Sequence, residues 1–221
     1  MKSKIQLLSH FLNQETPCYA GNTSDISIEA ASCICSGDSA NSLIIKFKNH
    51  IGTHIDLPRH FSRNGKTLSD YPDSFWFFSN IQLIDLPCKP SQMIMVKDLE
   101  HKINNSTDFL IIKTGFESYR SEEAYWNSNP GIHSEVGHWL REKFPCLRAI
   151  GFDFISLSSF KNREEGRKSH RAFLDGESSE PIVIIEDMFL SEAPKEFKEI
   201  IISPLLIENA DGVPVTIFSK S

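Results

Sequence analysis

Between His50 and His60 the chain reads His50-Ile51-Gly52-Thr53-His54-Ile55-Asp56-Leu57-Pro58-Arg59-His60, followed by Phe61. This run places three of its eight histidines and a carboxylate within reach of one another. Along an extended backbone, side chains alternate faces, so His50, His54, Asp56 and His60 project to one side and Ile51, Ile55 and Leu57 to the other. A rise of about 3.3 Å per residue sets His54 and Asp56 roughly 7 Å apart at Cα, a span two ligands cross when each donor lies about 2 Å from a shared ion. His50 needs a bend to join them, which Gly52 permits, and Pro58 ends the strand so that His60 can turn back. A single histidine on an apolar strand is usually just a satisfied core or surface side chain. Four titratable groups on one face are too costly to desolvate without a partner, and a divalent cation is the natural one.

Two further donors lie downstream. A helical pattern over Arg163 to Leu174 puts His170 on a face with Gly166, Phe173 and Leu174, directed inward. Glu186 ends the apolar run Ile182-Val183-Ile184-Ile185, where an acid is either paired or functional. Imidazole and carboxylate from a second element would close a coordination sphere begun by the first. An open divalent site next to an unliganded histidine points to hydrolysis of an amide, lactam or ester carbonyl, with His60 as the proton carrier. Arg163, Arg167 and Arg171 recur at steps of four and could meet a substrate carboxylate. The plainer expectation is a solvated stripe balanced by Glu164 and Glu165.

The elements that must position these groups are short strands interleaved with helices. Strand patterns cover Ser42 to Lys48, Ile81 to Leu86, Met93 to Val96, Phe109 to Thr114, Ala149 to Phe154, Ile182 to Glu186, Glu199 to Ile202 and Val213 to Phe218. Helical spacing is clearest over Ser134 to Phe144, stopped by Pro145. Asn22 to Asn41 reads as irregular or weakly stranded, and Gly176 to Glu180 as a surface turn. With 221 residues, no repeat and no linker, the expectation is one α/β domain spanning residues 1–221. A net charge of -6 gives no reason to expect a nucleic-acid partner, and no apolar run reaches membrane-spanning length, so a cytoplasmic protein with a small-molecule substrate is expected. The five cysteines, odd in number and outside any CxxC pair, read as reduced structural thiols. A Cys33–Cys35 bridge is disfavoured if both lie on a strand.

The segment His50-x-Gly-Thr-His54-x-Asp56-x-Pro-x-His60-Phe61 resembles the signature of the cyclase family of metal-dependent hydrolases, which includes bacterial kynurenine formamidase and isatin hydrolase. The resemblance extends to Thr16-Pro17-Cys18-Tyr19-Ala20-Gly21, Pro130-Gly131-Ile132 with Trp139-Leu140, Gly151-Phe152-Asp153, Ile184-Ile185-Glu186-Asp187, and Pro204-Leu205-Leu206 with Asp211-Gly212-Val213-Pro214. It implies a compact α/β fold with a mixed, barrel-like sheet flanked by helices, in a homodimer or higher homo-oligomer. It implies a metal site of His50, His54 and Asp56, with Asp56 and Glu186 bridging to a second ion that His170 helps hold where two are bound. His60 would transfer protons, while Tyr19 and Phe61 would meet the substrate. The ion would be zinc as in the family's formamidases, or manganese as in its isatin hydrolases. Tyr19 and Ala20 replace the family's tryptophan and proline, and residues 158–167 depart from the formamidase pattern, so no substrate carries over. Cyclisation or dehydration of a small metabolite, or metal binding without turnover, are the other readings open at this point.

Overall fold

A computed structural model describes residues 4–176 and 180–221. The chain opens with β1 (Ile5–Leu7), then β2 (Ile26–Ser32) and β3 (Ser42–Phe47), which pair antiparallel as a separate two-stranded hairpin. The segment Asn22 to Asn41 is part strand, as β2, and part turn and loop beyond Ser32. β2 stops at Ser32, and residues Ile34–Ser36 form a 3-10 turn closed by Gly37 in the left-handed region. This overturns the expectation for the cysteines. Cys33 precedes this turn and Cys35 lies within it, neither on a strand; their Cα atoms are 5.1 Å apart, and they are joined as a disulfide.

The remaining strands are β4 (His54–Asp56), β5 (Phe77–Phe78), β6 (Ile81–Asp85), β7 (Met93–Ile94), β8 (Phe109–Lys113), β9 (Gly131–Ile132), β10 (Ala149–Phe152), β11 (Val183–Glu186), β12 (Glu199–Pro204) and β13 (Gly212–Lys220). The helices are α1 (Val96–Leu99), α2 (Ala124–Asn127), α3 (Ser134–Lys143) and α4 (Arg163–Leu174). Eight strands run β5-β12-β13-β4-β11-β10-β8-β6, with β1 added beside β13. The pairs among β6, β8, β10 and β11 are parallel, while β4 lies antiparallel between β11 and β13. The parallel strands are apolar on both faces, as sequences such as Phe109-Leu110-Ile111-Ile112 require of strands covered on each side. The sheet is mixed, strongly curled and barrel-like, as expected.

Its two faces bury separate cores. Ile55, Phe109, Ile111, Val183, Ile185, Val213 and Ile217 point to one. Leu110, Ile112, Ile150, Ile184 and the apolar residues of α3 and α4 point to the other. On β11 the alternation sends Glu186 to the same side as Ile184, toward α4. Burial of α4 follows its pattern: Gly166, Ser169, His170, Ala172, Phe173 and Leu174 are buried. The proposed turn at Gly176 to Glu180 includes residues 177–179, which lie outside the described residues. No helix among the described residues is long and apolar enough to cross a membrane.

Candidate metal centre

Strand pairing assembles the centre. The antiparallel register sets Glu186 of β11 opposite His54 of β4, and Asp56 opposite Ile184, so His54, Asp56 and Glu186 share one face. α4 covers that face and delivers His170. All four side chains are buried, at 4%, 1%, 3% and 4% exposure for His54, Asp56, Glu186 and His170. Only His54–Asp56 is strand, so the continuous extended run expected from His50 to Leu57 does not form. The chain bends at Gly52 (φ +59°), where a Cβ would collide with Leu12. Ile51 consequently packs with Cys18 and Ile26 rather than with Ile55 and Leu57. The same bend brings His50 back, with its Nδ1 2.7 Å from Asp56 Oδ1. Pro58 starts a 3-10 turn, Pro58–His60, which returns His60 to the site.

The donor spacing is informative. His54 Nε2 is 3.4 Å from Asp56 Oδ1 and 3.5 Å from Glu186 Oε2. His170 Nε2 is 3.4 Å from Asp56 Oδ2 and 3.6 Å from Glu186 Oε1. Charge-assisted hydrogen bonds between such groups close to about 2.7–2.9 Å. Two donors each about 2.1 Å from a tetrahedral ion are instead separated by roughly 3.4 Å. Both imidazoles are also fixed by their other nitrogen: His54 Nδ1 is 2.8 Å from Gly52 O, and His170 Nδ1 is 2.8 Å from Gly166 O. A carbonyl accepts only from N–H, so each Nδ1 is the protonated nitrogen and each Nε2 faces the carboxylates, the arrangement metal-ligating histidines adopt. Gly166 is needed there because a Cβ would run into Ser158. Phe61 stacks on the His170 ring at 4.5 Å and 19°. Glu186 receives the backbone N–H of Leu157 at 2.7 Å and the Ser156 hydroxyl at 3.3 Å. The next residue, Asp187, is clamped by Arg120 at 2.9 and 2.7 Å and by the Tyr125 hydroxyl, which fixes the end of β11.

A second layer lies toward solvent. Asp211, just before β13, accepts from His50 Nε2 at 3.1 Å and from His60 Nδ1 at 3.0 Å, and the His50 and His60 rings lie 4.0 Å apart. Asn49 holds Asp211 Oδ1 at 2.7 Å. Sequence reasoning noted Asp211 only within a closing motif. Its pairing depends on β13 lying beside β4, and nothing local to Asp211 signals it.

Burial opposes charge on these imidazoles, but carboxylates outweigh it. Desolvation lowers His50, yet Asp56 and Asp211 raise it to about 9. His170, opposed in the same way, is raised to about 10 by Asp56 and Glu186, and His54 is raised as well. For Asp56, burial acts upward, and the neighbouring His170, His50 and His54 imidazoles hold its carboxyl well below the usual range. Two carboxylates thus keep protons on imidazoles in the place a cation would take. Two triads of donors, His50/His54/Asp56 and Asp56/His170/Glu186, have atoms within 4.8 Å of one another and share Asp56; His50, His60 and Asp211 form a third. The donor chemistry fits a divalent transition metal.

His50, His54, Asp56, His60, His170 and Glu186 line a cavity of about 380 Å³, with Tyr19, Phe61, Arg163 and Arg167 also on its wall and Asp211 behind His50 and His60. Every site residue expected from the sequence is therefore brought to one place. Residues 7–159, which carry the whole His50–Phe61 segment, match the model of the Cyclase family. The chain belongs to the cyclase family. A kynurenine formamidase of Bacillus cytotoxicus is 28% identical over 208 residues, covering 94% of this chain and 93% of its own. Isatin hydrolase A from Ralstonia solanacearum shares the cyclase-family fold with a TM-score of 0.81 at 17% identity, over 99% of this chain and 92% of its own. A structure described as a potential metal-dependent hydrolase with cyclase activity aligns with a TM-score of 0.78 at 20% identity, over 99% and 98%.

Proposed function

We propose that this chain is a metal-dependent hydrolase of a non-peptide amide bond, a formamide, a lactam or a related carbonyl compound. The observation that carries this reading is the convergence of His54 and His170 Nε2 on Asp56 and Glu186 at ligand-to-ligand spacing. The formamidase relative and the isatin hydrolase neighbour support the substrate class. His50, His54 and Asp56 hold one divalent ion, and Asp56, His170 and Glu186 a second where two bind. Mixed imidazole and carboxylate donors suit zinc, with manganese the alternative. When bound, the ion acidifies water and polarises the amide carbonyl.

The chain's own groups do the rest. His60 has Nδ1 tied to Asp211, and among the described residues its Nε2 makes no hydrogen bond, so that nitrogen is available to take a proton from the attacking water and pass it to the departing nitrogen. Asp211 sets the tautomer of His60 and steadies the imidazolium that forms. Tyr19 and Phe61 supply aromatic wall for a planar substrate. The chain assembles as a homodimer or higher homo-oligomer, a reading supported by Leu43, Ile44 and Ile45 of β3, which are 54–62% exposed. Sedimentation velocity tests that assembly. For the activity, elemental analysis of protein purified without added metal, followed by a panel of amides and lactams, is the test. Stoichiometric metal and release of a carboxylate are expected, and metal without turnover on any amide would overturn the hydrolase reading.

A further inference from the structure

The arginine stripe on α4 does not behave as one surface. Arg171 leaves the cavity, its guanidinium 5.9 Å from the outer side of Phe61 and beside Pro58 and Ser62. Arg163 and Arg167 stand on the cavity wall with the donor groups. Their neighbours were expected to balance them, and they do not. Glu164 pairs with Lys168 at 3.4 Å, and Glu165 accepts the Ser134 N–H at 2.9 Å and lies 3.5 Å from His133. Among the described residues, no carboxylate lies within ion-pair distance of Arg163 or Arg167.

We propose that Arg163 and Arg167 form a carboxylate-binding rim, so that the substrate is an amide carrying a carboxylate beside a planar group. This rests on the amide-hydrolase reading and narrows it. Residues four apart on a helix are about 5–6 Å apart at Cβ, close enough for two guanidinium forks to grip one carboxylate. The Arg163 guanidinium sits over Phe160, 4.0 Å from its ring centroid, and 5.9 Å from that of Tyr19. A cation–π contact of this kind positions the guanidinium, and with the Tyr19 hydroxyl engaging only part of it, further N–H groups remain for an anion. Charge bookkeeping agrees. Asp56, Glu186 and Asp211 against one divalent ion leave a single negative charge, so Arg163 and Arg167 tip the balance to one positive charge, which a substrate carboxylate would cancel and a neutral substrate would leave unmet. Phe160, Arg163 and Arg167 fall in the stretch that departs from the formamidase pattern. Hydrolysis itself is unaltered: a C–O bond forms from water, the C–N bond breaks, and the proton from water goes to the departing nitrogen. The gripped carboxylate is a handle and does not react.

The test uses the metal-loaded full chain and two probes, formanilide and its ring-carboxylated analogue. The carboxylated probe should have the higher kcat/KM by about 10- to 100-fold, and the ratio should collapse toward unity in the Arg163→Gln/Arg167→Gln double variant. Metal content should stay at the wild-type level, showing that the variant folds and keeps its centre. A ratio unchanged by the double substitution would overturn the proposal. Calorimetric titration with benzoate and benzamide separates this from the activity. If neither anilide turns over, the formamide form of the hydrolase reading fails, while benzoate binding lost only in the double variant still supports the rim. Equal benzoate affinity in both proteins would sink it.

Discussion

The floor of the cavity and its rim are built from the same residue types by different means. On the floor, His54, Asp56, His170 and Glu186 are buried, and each imidazole is locked by a backbone carbonyl. On the rim, the side chains of His50, His60 and Asp211 are 22%, 29% and 37% exposed and hold one another through side-chain hydrogen bonds alone. Backbone anchors fix a donor whether or not its partner is present, as a tight ligand requires. Side-chain anchors let a proton or an orientation change at little cost, as a proton carrier requires. The contrast assigns holding to the floor and moving to His60 with Asp211, while His50, a proposed ligand, links the two through Asp56 and Asp211.

The strongest way to break that division is at Asp56, the vertex both floor triads share. Asp56→Ala should abolish metal binding and activity together, because it removes charge from every pairing in the centre. Full metal occupancy in that variant, read by elemental analysis, would refute the floor assignment. Next in size is the rim. His60→Ala should lower kcat by about 10²- to 10⁴-fold, the usual contribution of a general acid-base group, and Asp211→Asn should lower it less while moving the pH profile of kcat/KM. Steady-state rates across pH check both, and an unaltered profile in Asp211→Asn would detach it from His60.

The third prediction follows from the raised imidazoles. His50 and His170 titrate near 9 and 10 in the metal-free protein against an ordinary 6.5, so their contribution to stability is complete below about 6.5 and is lost as pH rises through about 9 to 10. Below that window His10, lowered to about 4 by burial, works in the opposite sense. Thermal melts of metal-free protein should therefore fall between about pH 6.5 and 10, and bound metal should flatten that slope because it takes the protons' place. A metal-free melting temperature constant over this range would contradict the account. The smallest effect is at Tyr19. Tyr19→Ala should weaken binding of planar ligands by about 1 kcal/mol, seen as a rise in KM with kcat held. Unchanged KM across aromatic substrates would remove Tyr19 from the wall.

Much of the floor was readable in the chain because local periodicity orients it. His54 and Asp56 are two apart on a strand, His170 lies on the inward stripe of a helix, and Glu186 ends a buried strand. The strands and both long helices fall within a few residues of their patterns for the same reason. The rim was less readable, since Asp211 reaches His50 and His60 only through the pairing of β4 with β13, a contact between distant parts of the chain. The arginine stripe has helical spacing, but where α4 sits decides which of its members meet the cavity. Cys33 and Cys35 were misjudged because β2 ends at Ser32, before either cysteine, and a 3-10 turn takes over.

The direct test of the division between holding and moving is metal content, measured in parallel on wild type, His54→Ala, His170→Ala and His60→Ala purified under identical conditions. The account predicts metal lost from the first two variants and retained by His60→Ala, with all three impaired in turnover. A metal-free His60→Ala, or metal retained in His54→Ala and His170→Ala, would contradict it.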